Sequence, residues 1–294
     1  MLQKYIPNKI LSCISYAHKC DFVIMRKEYY NYYNNYPLEF ELFDGCKIYC
    51  WTNVVEFLFN ELENFNIKNI ILITGDDDHL TNPNGTTVYN KILNNNYSVV
   101  KFLPKNVKTW YSQNAEVVNN TMIPIPVGLC PPWARGASSK EELESMITDI
   151  NRDKLIYVNF QNQTNIWQRP QIFNIVTNNL KSNCTVGNYT EDKNKITTYY
   201  KDLQEHKYVL CPPGNSKESH RMWETLYMGG IPVVEDNPSN RYFASLFPIL
   251  VVERWSDITK ELLETKYDYF MNTEWKYDLL DCDNLFKEYG LSNE

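Results

Sequence analysis

Residues 207–236 constrain the fold of this chain more than any other stretch. Tyr208 to Cys211 is a short apolar run, and Pro212 and Pro213 stop it because neither ring can donate to a ladder. Gly214 and Asn215 suit the positive φ of a tight turn. Ser216 or Ser219 can cap the helix that should follow. Trp223, Leu226 and Tyr227 then fall at i, i+3, i+4, the stripe of a helix facing a core. Gly229 and Gly230 supply a left-handed cap. Ile231 to Val234 reads as a buried strand with Pro232 at its start. Strand, helix and strand in that order form a βαβ unit, so the two strands should run parallel.

The chemistry of this unit belongs to the first helical turn. Free N–H groups and the positive end of the helix dipole attract anions there, phosphates above all. His220 and Arg221 add donors, and Glu224 lies one turn further along the same face as Arg221. That set suits a nucleoside diphosphate, with Arg221 on the phosphates and Glu224 on ribose hydroxyls. The same i, i+3 spacing would also serve an ordinary ion pair worth only ~0.2–0.5 kcal/mol.

A resemblance favours the phosphate reading. Leu210-Cys-Pro-Pro-Gly-Asn, Ser219-His-Arg-Met-Trp-Glu-Thr and Gly229-Gly-Ile-Pro-Val resemble the nucleotide-sugar motif of exostosin-like glycosyltransferases. That family pattern is a Cys-Pro-x-Gly loop, a His/Ser-Arg-x-Trp/x-Glu-Ala helix start and a Gly-x-Ile-Pro-Val strand. The resemblance implies an α/β fold of the GT-B kind, two Rossmann-like domains facing across a cleft, and transfer of a sugar with inversion at the anomeric carbon. It implies donor contacts from Gly214, Asn215, Ser219, His220, Arg221 and Glu224. Related sequences also carry an Asn-rich loop followed by an arginine. Gln161 to Asn165 and Arg169 match that arrangement, although a surface arginine would read the same. Asp236, at a strand end beside the expected donor, can meet a sugar hydroxyl or simply start a turn.

In the N-terminal half the cleanest strand is Asn69 to Thr74, apolar throughout as parallel strands buried on both faces are. Gly75-Asp-Asp-Asp-His follows, at the carboxyl end where open α/β sheets bind ligands. The family places an aspartate a few residues after this strand. Asp78 matches best as the general base, with Asp77 and His79 behind it. Two other readings stay open: Asp76-x-Asp78 as a metal-binding DxD of the other common glycosyltransferase fold, or a solvated acidic turn capped by Asp76. Trp110-Tyr-Ser-Gln-Asn resembles a further family segment, which implies Trp110 and Asn114 on the acceptor side, although the Gln113 and Asn114 amides could equally bond a neighbouring loop. Ile123-Pro-Ile-Pro-Val-Gly-Leu also resembles a family segment, and its prolines suggest a sheet edge. The Tyr29–Tyr36 cluster has no period and reads as loop, and Tyr97 to Leu103 as a strand.

Length and composition bound the rest. At 294 residues two domains are expected, 1–150 for the acceptor and 151–294 for the nucleotide sugar, the last helix packing back on the first. A net charge of −7 argues against nucleic acid as a partner. No apolar run is long enough for a membrane span, and the N-terminus has no secretory h-region, so a cytoplasmic location is expected. The eight cysteines are scattered without CxxC spacing, which argues for reduced core thiols and against zinc. Abundant Asn, Lys, Ile and Tyr fit an AT-rich genome, viral or microbial. The expected function is glycosyl transfer from a UDP- or GDP-type sugar to a saccharide or glycan, with no metal and no further cofactor. A non-catalytic nucleotide-sugar or glycan-binding protein on the same scaffold is the alternative.

Overall fold

The computed structural model describes residues 4–24, 41–75, 81, 103–130, 137–188 and 196–292. The chain divides into two compact units, one of Leu11–Val127 and one of Met1–Ile10 with Gly128–Glu294. Each is α/β and, among the described residues, built on a parallel five-stranded sheet.

The first unit contains α1 (Cys13–Ala17), β1 (Phe22–Ile24), β2 (Lys47–Trp51), α2 (Val55–Leu62), β3 (Ile70–Gly75), β4 (Val107–Ser112) and β5 (Met122–Pro124). The strands lie side by side in chain order, all parallel. Val55, Leu58, Phe59 and Leu62 of α2 are all buried against the sheet, which is what their helical spacing predicts. β5, with its proline, is an edge strand. The Trp110 segment, read from sequence only as a motif, is strand β4. Asp76, Asp77, Asp78 and His79 lie outside the described residues, as do most of 97–103 and the Tyr29–Tyr36 cluster.

The second unit runs α3 (Lys140–Met146), β6 (Lys154–Val158), α4 (Arg169–Leu180), β7 (Cys184–Val186), α5 (Ile196–Glu205), β8 (His206–Leu210), α6 (His220–Tyr227), β9 (Ile231–Glu235), α7 (Pro238–Ala244), β10 (Leu250–Val252), α8 (Lys260–Asn272) and α9 (Cys282–Glu288). Its strand order is β7-β6-β8-β9-β10, again all parallel. β8 pairs with β9 across α6, so the βαβ unit forms with the register Val209↔Pro232. One sheet face is an apolar core of Ile156, Val158, Tyr208, Leu210, Trp255 and Phe270 among others.

The start of the chain is stitched to its end within this unit. Asp281 caps α9 by accepting from the Asp283 and Asn284 amides through Oδ1, and its Oδ2 accepts from the Asn8 and Lys9 amides at 2.7 and 3.0 Å. Burial of Asp281 with four such donors satisfies the carboxylate fully. What the last helix holds is therefore the 8–10 segment, which clusters with the second unit. No helix among the described residues is long and apolar enough to cross a membrane.

Candidate functional site

In the second sheet β7 lies to one side of β6, and β8 leads β9 and β10 away on the other. The carboxyl ends of β6 and β8 therefore flank a topological switch point, the place where doubly wound sheets leave a crevice for ligands. Three segments meet beside it: the loop 159–168 after β6, the loop 211–219 after β8, and the first turn of α6.

The loops are tied to each other. Arg169, at the first position of α4, is 5% exposed and not a surface side chain. Its Nε donates to Pro213 O and its Nη1 to Gln161 O, both at 2.9 Å, and its guanidinium lies over the Phe160 ring. Asn165 Nδ2 donates to Gly214 O at 3.2 Å. Gly214 is needed for close approach, because a Cβ there would stand 3.1 Å from Arg169 Nη2. The positive φ anticipated at Gly214 and Asn215 is found at neither, and the left-handed position is Gly229, with φ 73°, at the far end of α6.

α6 opens with an unfilled cap. Ser219 has the extended backbone of an N-cap residue, yet its hydroxyl bonds no backbone amide. Ser219 Oγ and the neighbouring Ser216 Oγ are both buried without a hydrogen-bond partner. His220 donates from Nδ1 to Gly128 O at 2.8 Å, which fixes the orientation of the ring. Arg221, 5% exposed, has a buried Nε with no partner, and no ion pair joins it to Glu224. The bland reading of that i, i+3 pair is thereby removed. Glu224 is instead held by α5. Its Oε2 accepts from Tyr199 at 2.6 Å and its Oε1 from Tyr200 at 3.4 Å, while the Tyr200 hydroxyl accepts from the Ala137 amide.

Arg221 is also close enough to act on its neighbours. Burial pushes the Cys211 thiol up to about 12, against the opposing pull of the Arg221 charge. Burial likewise raises Tyr157 well above the ordinary phenol range, with Arg221 again opposing. Tyr157 donates to Asp202 Oδ2 at 2.8 Å and accepts from Asn159 Nδ2 at 2.7 Å.

The remaining expected residues are placed as follows. Asp236 forms a two-oxygen contact with Arg241 Nη1, each at 2.6 Å, and the residue that caps α7 is its neighbour Asn237. In the first unit Trp110 is fully buried, edge-on to Phe59, and donates its indole N–H to Thr74 Oγ1 at 2.8 Å. Thr74, Ser112 and Thr81 continue this as a chain of buried hydroxyls, each step 2.7 Å. Asn114 is buried with φ 55°, a left-handed conformation asparagine tolerates better than most residues. Thus Arg169, Gly214, Ser219, His220, Arg221 and Glu224 come together on one sheet end. Among the described residues no cluster of His, Cys, Asp and Glu suited to a metal ion occurs.

Sequence reasoning passed over Tyr157, Asn159, Tyr199, Tyr200 and Asp202. Asn159 carried a legible signal, since it directly follows a buried strand at the ligand-binding end. Tyr199 and Tyr200 carried none, because their pairing with Glu224 depends on how α5 packs on α6.

The second unit is thus a parallel α/β fold in which two loops and the first turn of α6 meet at the carboxyl ends of β6 and β8. The family model of the RXYLT1 C-terminal domain, part of the exostosin-like glycosyltransferase group, matches residues 146–267, a stretch similar to that domain that includes both loops and α6. That family implies glycosyltransferase activity. No curated protein matches the chain.

Proposed function

We propose that this chain is an inverting glycosyltransferase of the GT-B kind that moves a sugar from a nucleoside diphosphate to a hydroxyl of a saccharide or glycan. The second unit holds the donor and the first serves the acceptor. The observation that carries the reading is Arg221, a buried cation whose Nε has no partner, in the first turn of a helix whose cap is unfilled. Such a group is costly unless an anion completes it. A diphosphate supplies that anion, and the similarity of residues 146–267 to a glycosyltransferase domain supports the same ligand.

In this reading Arg221, the α6 amides and the Ser219 hydroxyl take the two phosphates. Gly214, Asn215 and His220 line the approach, and Arg169 keeps the two loops in register. Glu224 retains lone pairs beyond its two phenols and accepts from the ribose hydroxyls. Asp236 faces the transferred sugar. On the acceptor side, Trp110 and Asn114 act by holding the strand ends of the first unit.

Asp78, with Asp77 and His79 behind it, removes the proton of the attacking hydroxyl. As that oxygen bonds to the anomeric carbon, the bond to the phosphate oxygen breaks and its electron pair leaves with the diphosphate. Base catalysis of this kind contributes ~10²–10⁴-fold. Fixed donors aimed at the developing charge contribute a comparable factor and take the place of a metal ion.

Calorimetric titration of UDP and GDP tests the site directly: binding that survives in Arg221→Ala refutes the phosphate role. Asp78→Asn should keep donor binding and lose transfer. Slow hydrolysis of the donor without acceptor separates an enzyme from a pure binder, and loss of activity in EDTA would favour the Asp76 and Asp78 metal site instead.

A further inference from the structure

Asn159 is 4% exposed, and its Oδ1 is buried without a hydrogen-bond partner. It is the first residue beyond β6, at the switch point itself. The register Tyr157↔Val209 continues to set it level with Cys211, where the α6 loop begins. Its orientation is not free. Asp202 can only accept, so the Tyr157 hydroxyl donates to it at 2.8 Å and has its lone pairs left for Asn159 Nδ2 at 2.7 Å. With the amide nitrogen committed to Tyr157, the carbonyl oxygen is the atom left over. Residues i and i+2 of a strand share a face, so Asn159 stands with Tyr157 on the face that carries α5 and Arg221. Tyr157 itself is wedged by Gly187: a Cβ there would lie 2.2 Å from the phenol oxygen. A buried amide oxygen fixed in direction and lacking a donor costs stability in the empty protein.

We propose that Asn159 is a specificity-determining residue whose Oδ1 accepts a hydrogen bond from a hydroxyl of the bound nucleoside diphosphate sugar. This rests on the nucleotide reading of the α6 pocket. Asp202 and Tyr157 are positioning residues that hold the amide the right way round. The hydroxyl comes from the ribose or from the transferred sugar, and one set of titrations separates the two sources.

Dissociation constants are measured by calorimetry for wild type, Asn159→Leu and Tyr157→Phe. The probes are the diphosphate that wild type binds, UDP or GDP, its 2′,3′-dideoxy form and its glucose conjugate. Asn159→Leu should weaken the parent diphosphate ~10-fold and leave the dideoxy form unchanged if the ribose is read. It should weaken only the glucose conjugate if the sugar is read. Tyr157→Phe conserves the ring, and should show the same selective loss at a smaller size because the amide can then turn. Dissociation constants unchanged in Asn159→Leu overturn the proposal, as does a loss equal for all three probes, which marks a general structural defect. If wild type binds neither UDP nor GDP, the nucleotide reading falls and this proposal with it. Binding by wild type with an Arg221→Ala defect but no Asn159 effect overturns the proposal alone.

Discussion

Replacing Arg221 by methionine should stabilise the empty protein while destroying its site. In the free chain the Arg221 Nε is buried with no acceptor, and no carboxylate forms an ion pair with the guanidinium among the described residues. An unsatisfied buried polar group costs ~1–3 kcal/mol. Methionine has similar length, no polar group and enough flexibility to fill the space the guanidinium leaves. The opposing effect is the loss of a cation near Glu224. That loss is the smaller one, since Tyr199 and Tyr200 both donate to the Glu224 carboxylate. The balance is a gain of ~1–2 kcal/mol, and with ~2–4 °C per kcal/mol for a unit of this size, a rise in Tm of ~2–8 °C. Differential scanning fluorimetry without nucleotide reads it, and calorimetry with UDP and GDP should show binding reduced at least ~100-fold. Wild type alone should then gain stability on adding nucleotide, by mass action. A Tm that falls several degrees in Arg221→Met would mean that the arginine is already satisfied in the free protein, and the argument for an anion at this position would fail.

Three further expectations concern the frame around the pocket. Arg152 donates to the carbonyls of Leu203, His206 and Met228, closing the ends of α5 and α6, and burial lowers its pKa to about 10, so it remains charged at neutral pH. Arg152→Ala should cost ~2–4 kcal/mol in urea unfolding, and a change under 1 kcal/mol would refute the clamp. Gly187→Ala drives a methyl into Tyr157, with contacts of 2.2 to 2.7 Å, and should cost ~1–3 kcal/mol and weaken nucleotide binding together. Burial lowers the His206 pKa, outweighing the raising effect of its bond to the Asp202 carbonyl. A folded pKa below the unfolded one means the unfolded chain takes up the proton first. The contribution of His206 is therefore complete above the unfolded value of ~6.5 and lost as pH falls below it. Wild type should lose more Tm than His206→Gln between pH 7.5 and 5.5, and parallel profiles would exclude the histidine.

Much of the second unit was legible as a string. The α6 stripe, the Gly229 cap, β6, β7 and the parallel pairing of β8 with β9 all follow from spacing and turn chemistry, which are local properties. The helix α1 was missed because five residues show too little of a period. Gly214 was assigned the wrong reason: its small size serves Arg169, distant in sequence at the start of α4, not a left-handed turn, and no local rule shows that. Arg169 looked equally like a surface residue for the same cause, since its acceptors Pro213 O and Gln161 O are set by loop packing.

What the amino-acid order determined alone is a βαβ unit with an arginine and a glutamate on the first turns of its helix, because periodicity and caps act within a few residues. Only the tertiary structure decided what those side chains touch. It gave Glu224 to two tyrosines of α5, left the Arg221 Nε without a partner, and aimed Asn159 by way of Asp202 and Tyr157. Hydrogen-bond partners in a buried site are chosen by which elements pack face to face, and that choice is settled by the whole sheet.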